Sequence, residues 1–157
     1  MRFGIGFVLG LGLAAAGAAL GAQSGGHPHA RFINPEAIRT PTGYTHVVEV
    51  TGGRTVYIAG QVALDRDGNL VGPGDLRAQA RQVFENLREA LASVGGGFEH
   101  LVKTNMYVTD MADLDGLREV RSEYLATPPP TSTLVQVVRL AREGFLLEIE
   151  AIVVVPE

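Results

Sequence analysis

Residues 145–155, FLLEIEAIVVV, set two acids inside apolar, β-branched sequence. Side chains of an extended chain alternate between faces. Leu147, Ile149, Ala151 and Val153 therefore form one stripe, and Glu148 and Glu150 share the other, roughly 6.5–7 Å apart. The apolar stripe demands a core. A carboxylate in such a strand is costly to bury without a partner. Either the acidic stripe reaches water at a sheet edge or a seam between copies, or it belongs to a site.

The preceding segments supply that core. Residues 44–50 alternate in part, residues 51–53 (TGG) turn, and residues 54–60 read as the second strand of a hairpin. Residues 65–69 (DRDGN) form a strong turn. Asp75 is placed to cap a helix with Leu76, Ala80, Val83, Phe84, Leu87, Leu91 and Val94 on one face, and the glycines at 95–97 end it. A strand is predicted over 101–109 and a second helix from near Asp113, with Leu114, Leu117, Val120 and Tyr124 inward, stopping before the prolines at 128–130. Strands over 131–140 and 145–155 complete the order β-β-α-β-α-β-β, an α+β pattern. One antiparallel-rich sheet with both helices on one face satisfies it. The strands are apolar on both sides, so the uncovered face is expected to meet other copies in a closed homo-oligomer.

The N-terminus differs in kind. After Arg2, residues 3–22 carry no charge and are rich in Gly, Ala and Leu. Residues 1–22 read as a secretory signal peptide, with an uncleaved anchor as the alternative, since about 20 apolar residues span a bilayer. A periplasmic or secreted protein is expected, and membrane association only if the leader stays. Residues 23–40 read as an arm or linker, with His27 and His29 as solvated residues, and residues 41–157 as the domain. With no cysteine, stability rests on packing and assembly rather than disulfides. Loss of Arg2 with the leader leaves 12 basic residues (13 less one) against 17 acids, a balance that argues against nucleic acid.

Among chemical motifs, no P-loop, dinucleotide fingerprint, H-E-x-x-H or G-x-S-x-G occurs. The four histidines are scattered, so neither a metal nor a cofactor is expected. What remains is a series of short segments: IAGQ at 58–61, QARQVFENL at 79–87, VKTNMYV at 102–108, PTSTLV at 130–135 and LEIEAI at 147–152. In this order they resemble the Rid (YjgF) family of reactive-intermediate deaminases, over about residues 41–155.

That resemblance implies a chorismate-mutase-like α+β fold and a homotrimer with ligand clefts between subunits. It also implies hydrolysis of enamines and imines to ammonia and a 2-oxo acid. The chemistry needs a guanidinium to hold the substrate carboxylate and an acid to position water. Residue by residue, Glu148 falls on the water-orienting acid and Tyr44 on a pocket tyrosine. The substrate-clamping arginine is replaced by Ser132, the serine of the S-G-Q turn by Ala59, and the asparagine of the second helix by Arg121. Arg121 shares a helical face with Leu117 and Tyr124, from which it either restores a guanidinium to the cleft or pairs with Glu123 at the surface. Glu148 has the alternative of solvation at a seam or pairing with Arg139; Glu150 reads as framework. Three functions are carried forward. The first is a protein that binds or hydrolyses a small imine or carbonyl metabolite in inter-subunit clefts. The second is a working 2-iminobutanoate/2-iminopropanoate deaminase, and the third a non-enzymatic interaction or chaperone-like module.

Overall fold

The computed structural model describes residues 27–157, so the predicted leader and the first residues of the arm lie outside it. Six strands and two helices follow in the order β1 (Ala30–Ile33), β2 (Val47–Val50), β3 (Arg54–Val62), α1 (Leu76–Ala92), β4 (Leu101–Val108), α2 (Leu114–Tyr124), β5 (Thr131–Gln136) and β6 (Leu147–Val155). Both helices start where a capping acid satisfies orphan backbone donors. Asp75 accepts from the Ala78 N–H at 3.0 Å and Asp113 from the Gly116 N–H at 3.1 Å.

Four strands form the main sheet in the order β3-β6-β4-β5. The β3–β6 and β4–β6 pairs are antiparallel; β4–β5 is parallel, which the crossover through α2 makes possible. On β6, Leu147, Ile149, Ala151 and Val153 are buried against Val83, Phe84, Leu87 and Leu91 of α1 and Leu117 and Val120 of α2. Both helices thus cover one face of an α+β domain. Each such side chain taken from water contributes about 1.5–3 kcal/mol. The exposed bridges between the helices, Arg77 with Asp113 and Glu119, and Arg81 with Glu123, add little beside that core.

Two expectations are corrected. The arm contains a strand, β1, which pairs antiparallel with β2; the expected hairpin of residues 44–60 does not form, because β2 takes β1 rather than β3 as its neighbour. Ala30 and Phe32 of β1 pack with Val102 and Val154 on the second face of the main sheet and hold the small sheet there. Burial of those two side chains supplies the stability that a four-residue strand lacks alone. His27 is likewise not simply solvated. Its ring lies 6.1 Å from that of Phe32 and 5.8 Å from that of His100, and its Nε2 is buried with no hydrogen-bond partner among the described residues.

Candidate functional site

The register of the main sheet divides the expected site residues between its two faces. Thr104 of β4 stands beside Ser132 of β5 and beside Ala151 of β6, and laterally paired residues point the same way. Ser132 therefore faces the helices, as its 3.2 Å hydrogen bond from Thr104 Oγ1 requires. Glu148 is three residues from Ala151, an odd step, and faces away from them. The two cannot meet within one chain.

On the helix side, Tyr44, Ser132 and Arg121 converge on one cleft of about 360 Å³ between α2 and the edge strand β5. Thr42 and Arg118 complete its polar rim, and Met106, Leu114, Leu117 and Leu134 make an apolar floor. Leu114, Leu117, Arg118 and Arg121 fall at positions i, i+3, i+4 and i+7 of α2, one face of a helix. The loop carrying Tyr44 is tied down beside β5. Thr45 donates from its hydroxyl to the Pro129 carbonyl (2.6 Å) and from its N–H to the Pro130 carbonyl (3.1 Å). Tyr44 also packs edge-on against His46, at 5.3 Å between ring centroids.

Arg121 donates to the Gly43 carbonyl at 2.8 Å. Gly43 has φ +76°, the left-handed region that favours glycine, and a Cβ there would displace the guanidinium. Glu123, the alternative partner of Arg121, bonds to Arg81 instead. Among the described residues no carboxylate pairs with Arg121. Burial first, and the neighbouring Arg118 charge second, push its pKa down from the ordinary arginine value.

The opposite face carries Glu148, Ala59 and Glu150. Asn105 Nδ2 donates to Glu150 Oε1 at 2.6 Å and the Tyr107 hydroxyl donates to the same oxygen at 3.2 Å. The Tyr107 phenol is pushed above its usual range, chiefly by burial, then by its bond to Glu150 and by the charges of Glu150 and Glu148. Ala59 lies in a shallow recess with Tyr57, Lys103, Asn105 and Glu150. Glu148 makes no hydrogen bond or ion pair to any described side chain, Arg139 included. Its chain lies over Gly60, at a one-residue bulge where β3 slips against β6 between Ile58 and Gln61. A Cβ on Gly60 would stand 2.8 Å from Glu148 Cδ and 2.9 Å from Cγ.

Gly60 and Gly43 were not singled out from the sequence, although a glycine inside a strand pattern signals a bulge or a close approach. The polar residues of the QARQVFENL segment prove to be scaffolding. Gln79 is fully buried and bonds the Gly72 and Gly144 carbonyls and the Leu146 N–H, and Asn86 Nδ2 bonds the Val62 and Leu64 carbonyls. Among the described residues no cluster of three His, Asp or Glu side chains is arranged to hold a metal, and no helix is long and apolar enough to cross a membrane.

Known proteins match this chain in sequence and in fold. Residues 34–155 match the family model described as endoribonuclease L-PSP. The chain is 38% identical over 111 residues to the mouse protein named 2-iminobutanoate/2-iminopropanoate deaminase, which covers 71% of this chain and 80% of that one. A Rid-family protein from Yersinia pestis superposes with a TM-score of 0.74 at 36% identity, over 81% of this chain and 99% of that chain. RidA from an Antarctic Psychrobacter superposes with a TM-score of 0.62 at 37% identity, over 74% and 91%. With an ordered series of matching segments, the α+β scaffold and these relatives in agreement, the chain belongs to the endoribonuclease L-PSP family, whose members also carry the Rid and YjgF names.

Proposed function

We propose that this protein is an exported homotrimer that hydrolyses a small 2-imino acid in clefts made by two neighbouring copies. One copy contributes the Tyr44–Ser132–Arg121 wall and the next contributes Glu148. The observation that carries this reading is the split of the site residues between the two faces of one sheet. Each half is open, and each lacks what the other holds. Part of the second face is free of β1 and β2, and there Tyr57 and Val135 are 77% and 41% exposed, apolar surface suited to a subunit seam. The name of the mouse relative supports the reaction class.

The chemistry asks little of the protein, because an iminium carbon is already electrophilic. Glu148 accepts a proton as water adds to that carbon and returns it to nitrogen as the tetrahedral adduct collapses. Water is consumed, ammonium leaves, and a 2-oxo acid remains. General base catalysis of this kind is worth roughly 10²–10⁴-fold. Ser132 offers a neutral hydrogen bond where the family resemblance expects a charged one, so the carboxylate end needs another anchor.

The test generates the imine in situ from an amino acid and follows its disappearance. Acceleration over the spontaneous reaction is expected, with Glu148→Gln abolishing most of it. Light scattering should return a trimer that Tyr57→Arg disperses. A fully active monomer, or no acceleration with any 2-imino acid, overturns the reading. Export is read separately, as a mature N-terminus near residue 23 in protein recovered from outside the cytoplasm.

A further inference from the structure

We infer that Arg121, reaching the cleft from α2, is its anion anchor, and that the cleft selects monocarboxylates with a branched apolar tail. This deepens the preceding reading and rests on it only in taking the cleft beside Ser132 as the ligand site. A guanidinium that is half-buried without a counter-charge is an expensive feature in a folded protein. Arg121 uses one donor on Gly43 O, and a guanidinium carries five N–H donors in a planar fork. The remainder lie in a cleft whose other polar groups are the neutral Tyr44, Thr42 and Ser132 and, at the rim, Arg118, whose charge is already paired with Asp115 at 2.9 Å. A carboxylate entering there supplies the missing charge, and a bidentate pair with the fork is the geometry both groups favour. The depressed arginine pKa, caused first by burial, has the same origin: the solvation lost on folding is not replaced within the chain.

The tail follows from the rest of the wall. Met106 and Leu117 are fully buried at the bottom of the cleft, and Leu114 and Leu134 are half-buried above them. A second carboxylate would be stripped of water against these side chains, away from the rim where Arg118 is held by Asp115. A methyl group underfills them, whereas an isobutyl or thioether chain covers them and takes more apolar surface out of water.

Calorimetric titration of the assembled protein tests both parts, using stable 2-oxo acids in place of the imines. Relative to pyruvate, 4-methyl-2-oxopentanoate should bind at least tenfold tighter, and 2-oxoglutarate no tighter. Arg121→Gln, which removes the charge and keeps an amide donor, should weaken every ligand by roughly ten- to a hundredfold. Leu134→Ser should reduce the preference for 4-methyl-2-oxopentanoate over pyruvate to less than about threefold. Wild-type affinities in folded, assembled Arg121→Gln overturn the anchor, and pyruvate binding as tightly as 4-methyl-2-oxopentanoate overturns the selectivity. The outcome is separable from that of the hydrolase reading. Arg121-dependent binding without imine turnover supports the anchor and removes the reaction. Imine turnover with unchanged KM in Arg121→Gln removes the anchor and keeps the reaction.

Discussion

Gly60→Ala is the sharpest probe of Glu148, because it moves the carboxylate without touching its chemistry. The backbone at Gly60 is outside the left-handed region, so alanine introduces no strain of its own. Its Cβ would lie 2.8 Å and 2.9 Å from Glu148 Cδ and Cγ, where carbon atoms normally rest at about 3.5–4.0 Å. Glu148 Oε1 would be closer still, so the carboxylate must retreat by more than about 1 Å or change rotamer, at a cost of about 0.5–1.5 kcal/mol. Restricting the unfolded chain returns about 0.4–1 kcal/mol. Net stability should therefore move by less than about 1 kcal/mol, a shift of a few degrees in Tm. Catalysis responds to position far more steeply, since a misplacement of about 1 Å costs on the order of 10²-fold. The expected signature is a turnover of 2-imino acid reduced about a hundredfold, with melting nearly unchanged and 2-oxo acid affinity within about threefold. A double variant with Glu148→Gln should be no slower than Glu148→Gln alone, because both act on one group. A Gly60→Ala protein turning over at the wild-type rate, or a double variant whose losses multiply, would refute the assignment of Glu148 to the water.

Two further outcomes concern the scaffold. Gln79→Leu removes all three hydrogen bonds of a buried side chain and strands the Gly144 carbonyl and the Leu146 N–H, while Gly72 keeps its bond from the Asp75 N–H, so urea denaturation should show a loss of about 2–4 kcal/mol; less than about 1 kcal/mol would contradict it. The His27 pKa is depressed by burial first and by the nearby His100 and His29 second, with the His100 and Val154 backbones opposing. Above the ordinary histidine value near 6.5 both folded and unfolded forms are neutral at this position and stability is at its full value. As pH falls below that, the unfolded chain binds the proton first, so stability declines until the depressed folded pKa is passed. His27→Gln should flatten the slope of Tm just below pH 6.5, and an unchanged slope would assign it to other groups.

The parts of the fold legible in the sequence are those whose signal is local. Asp75 and Asp113 announce the helices because a cap is read within four residues. The two-faced character of β6 is likewise visible in nine. β1 was missed because only Ala30 and Phe32 face inward, two apolar residues flanked by histidine and proline, and their partners Val102 and Val154 lie far along the chain. The false hairpin has a related cause: the glycines after Val50 do allow a reversal, but a turn signal does not say which edge a strand will take. β2 found β1 instead.

The site was half legible for a reason that bears on its chemistry. Parity within β6 assigns Glu148 and Glu150 to one face, but relating that face to Ser132 requires the β4–β5 register, which is set by the α2 crossover and not by any local pattern. Once the register is known, Ser132 and Arg121 fall on the same side of the sheet, with α2 as the opposite wall of their cleft. A neutral strand residue then faces a charged helix residue across the space where a carboxylate would lie. Electrostatic attraction depends on distance and surroundings, not on which wall the charge comes from. Direction of approach does differ: a guanidinium on α2 would hold the carboxylate toward the helix and turn the tail onto Met106 and Leu117, where a charge on β5 would draw it to the sheet edge. Moving the charge between walls therefore preserves the capacity to bind an anion while changing which anions fit.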